Sequence, residues 1–384
     1  MIPLSVPNFE GNEVKYVTDA VSQGWVSTGG AYVQGMEEKI AEYIGAPVAV
    51  ACQSGTAALH LSLVECGVGA GDLVFAPPLT FIAAVNPIRY VGADPVFIDC
   101  DDSLCMDPLK LEEFCACECE LTQEGLKHKK TGRWIRAAIV VHVFGNMADM
   151  EKIMEVSAKY RFKVIEDATE ALGSYYTEGK YAGRFAGTVA DMGAYSFNGN
   201  KLITTGGGGM VVGMNEEALK HVKYLSTQAK DDEHFYIHHE VGYNYRMTNV
   251  QAAIGVAQLE CLEDFIGRKN RNYDLYAELL KENKNVKLIP FRDGVRSNKW
   301  FYSLYVPTDK KDVRSMIMEL QEKGIQSRPI WGLMHEQKPY QDCICYKIEK
   351  AKEYSEHIIN LPCSTNISQE DIRYVCEVIN EMFA

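Results

Sequence analysis

The sequence predicts an α/β protein whose first part is a largely parallel sheet, covered by helices on both faces. Short apolar runs of four to six residues recur through the first two-thirds of the chain, separated by helix-length segments. Near-continuous apolar strands of this kind belong to a sheet that is buried on both sides. Unusual polar and glycine-rich segments follow the ends of these runs, which is where parallel sheets bind ligands. Around Asn249 the pattern changes to long helical stretches with few strands, the mark of a second, smaller α+β unit.

The first strand is read at Pro47 to Cys52, followed by Gln53-Ser54-Gly55-Thr56 and an apolar helix from Ala57 to Val64. Asp72 to Ala76, Pro95 to Asp99, Ala137 to Val141 and Phe162 to Ile165 continue the series, the last running into Glu166-Asp167. Gly193 to Phe197 and Gly209 to Val212 complete seven strands. Asn249 to Cys261 is helical, with Ala252, Ala253, Val256 and Leu259 on related faces. Arg268 to Glu282 continues as helix, then come a strand at Trp300 to Val306 and helices at Lys311 to Lys323 and Ser368 to Phe383. The expected division is a large domain over 1–248 and a small domain over 249–384. The polar segment from about Cys115 to Arg136 reads as a surface insertion.

The 384 residues carry a formal net charge of -13, which argues against a general nucleic-acid binder. Met1 to Ser5 has no basic, apolar leader, and no run approaches the roughly 18 apolar residues of a membrane span. A cytoplasmic protein is therefore expected, with no membrane partner. Twelve cysteines are present, including the alternating Cys115, Cys117 and Cys119 and the close pair Cys343 and Cys345. These spacings do not match paired zinc ligands, so no metal is expected.

Three segments carry candidate chemistry. Lys201 follows Ser196-Phe197-Asn198-Gly199-Asn200 and precedes the glycine run Gly206 to Gly209. A lysine past a strand end, ahead of glycines that let backbone approach a flat ligand, is placed to act as a Schiff-base nucleophile; taken alone it also reads as a surface residue. Asp167 ends an apolar strand, where a buried carboxylate needs a partner. A protonated pyridine nitrogen is one such partner, and a helix N-cap is the other reading. Gln53-Ser54-Gly55-Thr56 opens a helix whose free N–H groups suit a phosphate.

In chain order these give a phosphate cradle, a ring-nitrogen acid and a Schiff-base lysine. The sequence here resembles the DegT/DnrJ/StrS-type sugar aminotransferases, within pyridoxal-phosphate (PLP) fold type I. The segments that carry the resemblance are GWVSTGG at 24–30, SGTAALHL at 54–61, PLTFIAAVNPI at 78–88, IEDATEALGS at 165–174, AYSFNGNK at 194–201, GGGGMVV at 206–212 and GYNYRMTNVQAAIGVAQL at 242–259. The resemblance implies that Lys201 binds PLP covalently and shuttles protons, that Asp167 pairs with the pyridine nitrogen, and that Phe81 stacks on the ring. It further implies phosphate contacts from Gly55, Thr56 and Ser196, and from Asn244 of a neighbouring subunit in a homodimer with shared active sites. Phe81 also reads as ordinary core packing.

Many relatives carry Gln or His three residues after the aspartate, near the cofactor's 3′ oxygen; here the residue is Glu170. An ionised carboxylate beside a phenolate would be repelled, so Glu170 is expected to be protonated or turned away. The ATE variant, VHVFGN at 141–146 and the insertion near residue 120 resemble the branch acting in legionaminic-acid-type pathways. Some relatives have His at the lysine position and act as dehydratases; Lys201 favours transamination. The implied reaction transfers an amine from glutamate to a nucleotide-linked 4-keto-6-deoxy sugar, with Trp25, Thr28, Arg328 and His335 as candidate substrate contacts. The rival readings are an amino-acid-directed aminotransferase, with Arg328 gripping an α-carboxylate, and a non-catalytic sensor on the same fold.

Overall fold

A computed structural model describes residues 1–232, 234–308 and 311–383. Each expected strand forms: β1 Ala49–Cys52, β2 Leu73–Ala76, β3 Asp94–Ile98, β4 Trp134–Val141, β5 Lys163–Asp167, β6 Met192–Ser196 and β7 Gly209–Val212. They lie in the order β1-β7-β6-β5-β4-β2-β3. All neighbours are parallel except the two pairs made by β7. The carboxyl ends of the parallel strands therefore share one rim. Because β7 runs the other way, its beginning joins that rim: Gly209 sits opposite both Cys52 and Ser196.

The apolar runs follow from double-sided burial. β1, β2 and β7 are buried at every position, covered by helices such as Gly55–Glu65 and Ala31–Ile44. A second, antiparallel sheet holds Lys287–Leu288, Tyr302–Tyr305, Ile358–Leu361 and Arg328–Pro329, in that order. No helix among the described residues is long and apolar enough to cross a membrane.

The expected surface insertion has secondary structure of its own, with Cys117, Glu120, Leu121, Gln123 and Glu124 exposed. Cys115 lies in the helix Pro108–Glu118, and Cys119–Leu121 and Leu126–His128 form a hairpin that pairs with β4. The cause is a buried inner face, with Cys115, Leu126 and His128 all nearly inaccessible, hidden in a segment of mixed charge. The helix expected from Arg268 begins earlier, at Leu262, and runs to Leu280, because Leu262, Phe265, Ile266, Lys269 and Tyr276 form one buried face.

Three segments cross the expected 248/249 division in space. The Leu4 N–H donates to Gln326 Oε1 and the Leu4 carbonyl accepts from the Cys363 N–H, tying the N-terminal arm to the second sheet. In the helix Asn249–Glu260, Asn249 and Gln258 bond back to Trp25, Asn8 and Glu13. Ile344–Tyr346 adds a further parallel strand beside β3. The twelve cysteines are all free thiols, and no group of three or more His, Cys, Asp or Glu side chains among the described residues is placed to hold a metal.

Candidate active site

A cavity of about 670 Å³ lies between the shared rim and the second sheet. It is lined by Gly55, Thr56, Phe81, Asp167, Glu170, Ser196, Lys201 and Arg328, so eight of the residues singled out in the sequence converge on one space. Lys201 sits in the loop joining β6 to β7. That loop is closed by the Phe197 N–H donating to the Gly208 carbonyl and the Thr205 N–H donating to the Phe197 carbonyl. Gly208 cannot carry a side chain there, since an added Cβ would meet Thr205 Oγ1 at 2.4 Å.

The Lys201 ammonium is held on two sides. Glu170 Oε1 lies 3.5 Å from Nζ, and the Trp300 ring centroid lies 4.0 Å from it, close enough for a cation–π contact. The Trp300 indole N–H donates to the Asn200 carbonyl at 2.9 Å, which aims the ring at the neighbouring lysine.

Asp167 ends β5 with its side chain buried. Burial pushes its carboxyl above the usual range, opposed by Thr169, Lys201 and His142. The Thr169 N–H donates to its Oδ1 at 3.1 Å. Behind it, Glu166 is the satisfied member of the acidic pair. It accepts from the N–H groups of Gly187, Val189 and Ala190 and bonds to His142 Nε2 at 2.8 Å. Burial would raise the Glu166 carboxyl, but these donors, His142 first, hold it below its ordinary value. The two adjacent acids thus differ: Glu166 is fully paired, and Asp167 faces the cavity.

Glu170 is buried and its carboxyl is pushed up to about 7 by burial, against the pull of Lys201 and of the Phe144 N–H. The Phe144 N–H donates to Oε2 at 2.8 Å. Phe144 has φ of 57°, a left-handed conformation uncommon for a bulky residue, and this places its N–H toward the carboxylate. Of the two expectations, the raised carboxyl is the one the geometry supports. The acid titrates high, yet it remains on the cavity wall beside Lys201 rather than turning away.

At the phosphate cradle, Ser54 caps the helix Gly55–Glu65 by accepting from the Ala57 N–H at 3.0 Å. The N–H groups of Gly55 and Thr56 have no hydrogen-bond acceptor among the described residues. An added Cβ on Gly55 would meet Ser196 Cβ at 2.8 Å and Thr169 Cγ2 at 2.9 Å, so glycine is what lets this helix end approach the β6 rim. Gly55→Ala should displace Ser196 and Thr169 and weaken cofactor affinity by about tenfold. Titrating the cofactor against the variant while following its absorbance measures this; unchanged affinity would show the close approach to be irrelevant.

Phe81 lines the cavity and is 55% exposed, which rules out the core-packing reading. Trp25, Thr28, His335 and Asn244 do not line the cavity within one chain. Trp25 and Asn244 are exposed. His335 is half-buried, with its ring 6.3 Å from that of Phe97 and its buried Nδ1 without a hydrogen-bond partner among the described residues. The strand pairing of Arg328–Pro329 carries Arg328 into the cavity, and the lining continues through Gly332, three residues short of His335. The sequence reading missed the aromatic wall of Phe144, Trp300, Phe301 and Trp331. The Phe144 and Trp331 ring centroids are 4.6 Å apart. Its members come from three distant segments, and no local spacing announces them.

The residues fit PLP on three counts. Two unclaimed N–H groups and the Thr56 and Ser196 hydroxyls can hold a phosphate, a buried carboxylate can hold a ring nitrogen, and an exposed phenyl can cover a flat ring. Fold and site together define a pyridoxal-phosphate enzyme of fold type I.

The chain belongs to the DegT/DnrJ/EryC1/StrS aminotransferase family, whose match spans residues 7–380. It is 35% identical to a Bacillus subtilis (strain 168) protein, EpsN, named for pyridoxal phosphate-dependent transamination, over 100% of this chain and 96% of that one. It is also 35% identical to the GDP-perosamine synthase of Escherichia coli O157:H7, over 100% and 99%. The PLP form of Spr1654 from Streptococcus pneumoniae, named as a sugar aminotransferase, superimposes with a TM-score of 0.88 at 25% identity, covering 100% of this chain and 99% of that one. The protein is a transaminase and its cofactor is PLP.

Proposed function

We infer that the protein transfers an amine from glutamate to C4 of a nucleotide-linked 4-keto-6-deoxy sugar, a UDP- or GDP-2-acetamido-4-keto-2,6-dideoxyhexose. The reading rests on one observation: Lys201, Asp167 and the open helix end at Gly55 and Thr56 face a single cavity that also holds Arg328. Family membership and the likeness to a GDP-perosamine synthase support a nucleotide-linked sugar as the amine acceptor.

Bound PLP supplies the electron sink that lets an amino carbon lose and regain a proton. The chain's own residues do the rest. Lys201 Nζ carries the cofactor covalently at rest, then moves a proton to and from the carbon that exchanges its amine. The Asp167 carboxylate keeps the ring nitrogen protonated. The Gly55 and Thr56 N–H groups, with the Thr56 and Ser196 hydroxyls, would hold the phosphate, and Phe81 would pack against the ring. Trp300, against the Lys201 amine, excludes water from that side.

Arg328 donates through Nη1 to the Ser327 carbonyl and has no carboxylate within ion-pair distance among the described residues. In a cycle whose two halves share one site, this guanidinium serves the glutamate carboxylate in one half and the substrate phosphate in the other. Arg328→Ala should raise KM for both substrates by about tenfold or more while kcat changes less. A rise confined to the keto acid and amino acid pair would favour the amino-acid-directed reading. The exposed Asn244 and the exposed apolar side chains of Trp25, Phe235, Tyr236 and Val241 support a homodimer in which Asn244 reaches the partner's phosphate site.

The test incubates the PLP enzyme and glutamate with a panel of UDP-, GDP- and dTDP-linked 4-keto sugars and reads product mass. An amino sugar still carrying its nucleotide is expected. Turnover with keto acids alone would overturn the reading.

A further inference from the structure

A lysine reacts as the neutral amine, whereas an ordinary lysine is protonated at neutral pH. The Lys201 proton therefore needs an acceptor whenever the amine comes into use. Among the described residues, Glu170 is the carboxylate within ion-pair distance of Lys201. Its other oxygen is committed to the Phe144 N–H, and its backbone carbonyl accepts from Asn298 Nδ2 at 2.9 Å. The residue is thus held at its backbone carbonyl and at Oε2, with Oε1 left for Nζ.

The other groups facing this pair do not supply an equivalent acceptor. Trp300 offers only its ring. Asp167 is engaged by the Thr169 N–H and reserved for the ring nitrogen. His142 and Glu166 bond to one another, and His142 Nδ1 is occupied by the Ala148 N–H. Arg328 lines the cavity from the second sheet as a permanent cation.

We propose that Glu170 is the proton partner of Lys201, taking the ammonium proton when the amine must react and returning it when the amine is released. The inference rests on Lys201 being the reactive lysine, and it goes beyond the ring-neighbour role implied by the family pattern. In the transfer an N–H bond on Nζ breaks and an O–H bond forms on Oε1. Ammonium and carboxylate become amine and carboxylic acid, and nothing is oxidised or reduced. Burial penalises the charged form of Glu170, which favours its taking up a proton. The same burial sets the Glu170 carboxyl at about 7, where it can give and take a proton under ordinary conditions. A glutamine at this position could hydrogen-bond the ring oxygen but could not accept a proton.

The experiment uses the full-length, PLP-saturated protein and two readouts. The first is the fraction of cofactor attached to Lys201 as a function of pH, trapped with borohydride and located by peptide mass. The second is the single-turnover rate with glutamate. For Glu170→Gln the attachment midpoint should move downward by about one pH unit or more, because the carboxylate no longer stabilises the ammonium, while the rate at neutral pH should fall by about tenfold or more for want of the acceptor, recovering in alkali. Glu170→Asp, which keeps a titrating group, should stay near the wild-type midpoint although slower, and it stands in if the Gln variant does not fold. An unchanged midpoint in Glu170→Gln, or slowing by the same factor at every pH, overturns the proposal. Wild-type protein with no adduct on Lys201 overturns instead the reading on which the proposal rests.

Discussion

Lys201→Ala is expected to abolish turnover, with kcat down by at least about 10⁴, and to leave no borohydride-reducible bond between chain and cofactor. The size of the effect follows from one nitrogen doing two jobs, covalent attachment and proton transfer. No neighbour can substitute. Lys269 is the fully buried lysine among the described residues, and its Nζ donates to the Trp300 and Cys363 carbonyls, away from the cavity lining. The alanine variant should still fold and bind PLP non-covalently, because Gly55, Thr56, Ser196 and Asp167 are untouched. Full activity, or a reducible adduct elsewhere on the chain, would dismantle the assignment.

Asp167→Asn is expected to lower kcat by about 10² to 10³ while making the cofactor-free protein more stable at neutral pH. The two effects have one cause. Burial raises the Asp167 carboxyl above its ordinary value of 3.8, so the folded chain holds this proton more tightly than the unfolded chain does. Stability from this group is therefore present below the unfolded value and is lost as pH rises through the folded one. Asparagine removes that loss and also removes the charge that keeps a ring nitrogen protonated. Thermal melts of the cofactor-free variants across pH, set beside single-turnover rates, check both halves. An Asn variant that is less stable than wild type at neutral pH and equally fast would show that residue 167 neither bears a strained charge nor faces the ring.

Opposed effects of this kind mark a side chain held at a cost to stability for the sake of chemistry. Glu166 provides the internal contrast. It is just as buried, but three backbone N–H groups and His142 satisfy it. Replacing it should cost stability rather than gain it.

The seven strands and the helix opening at Gly55 were legible in the amino-acid sequence, because each is written in residues adjacent along the chain. Apolar runs announce buried strands by themselves. A small-residue helix start keeps its meaning wherever the chain goes, whereas Lys201 taken alone also reads as a surface residue. The hairpin within 119–128 was not legible, since its buried face is carried by a few residues, Leu126 and His128 among them, inside a polar segment. The aromatic wall, the placing of Arg328 rather than His335 at the cavity, and the approach of Glu170 to Lys201 were decided only by the tertiary structure. Each depends on elements tens to more than a hundred residues apart in the chain, brought together by packing of the second sheet over the rim of the first. Local spacing specifies what a side chain can do; the distances that give it a partner come from long-range packing, which no local pattern encodes.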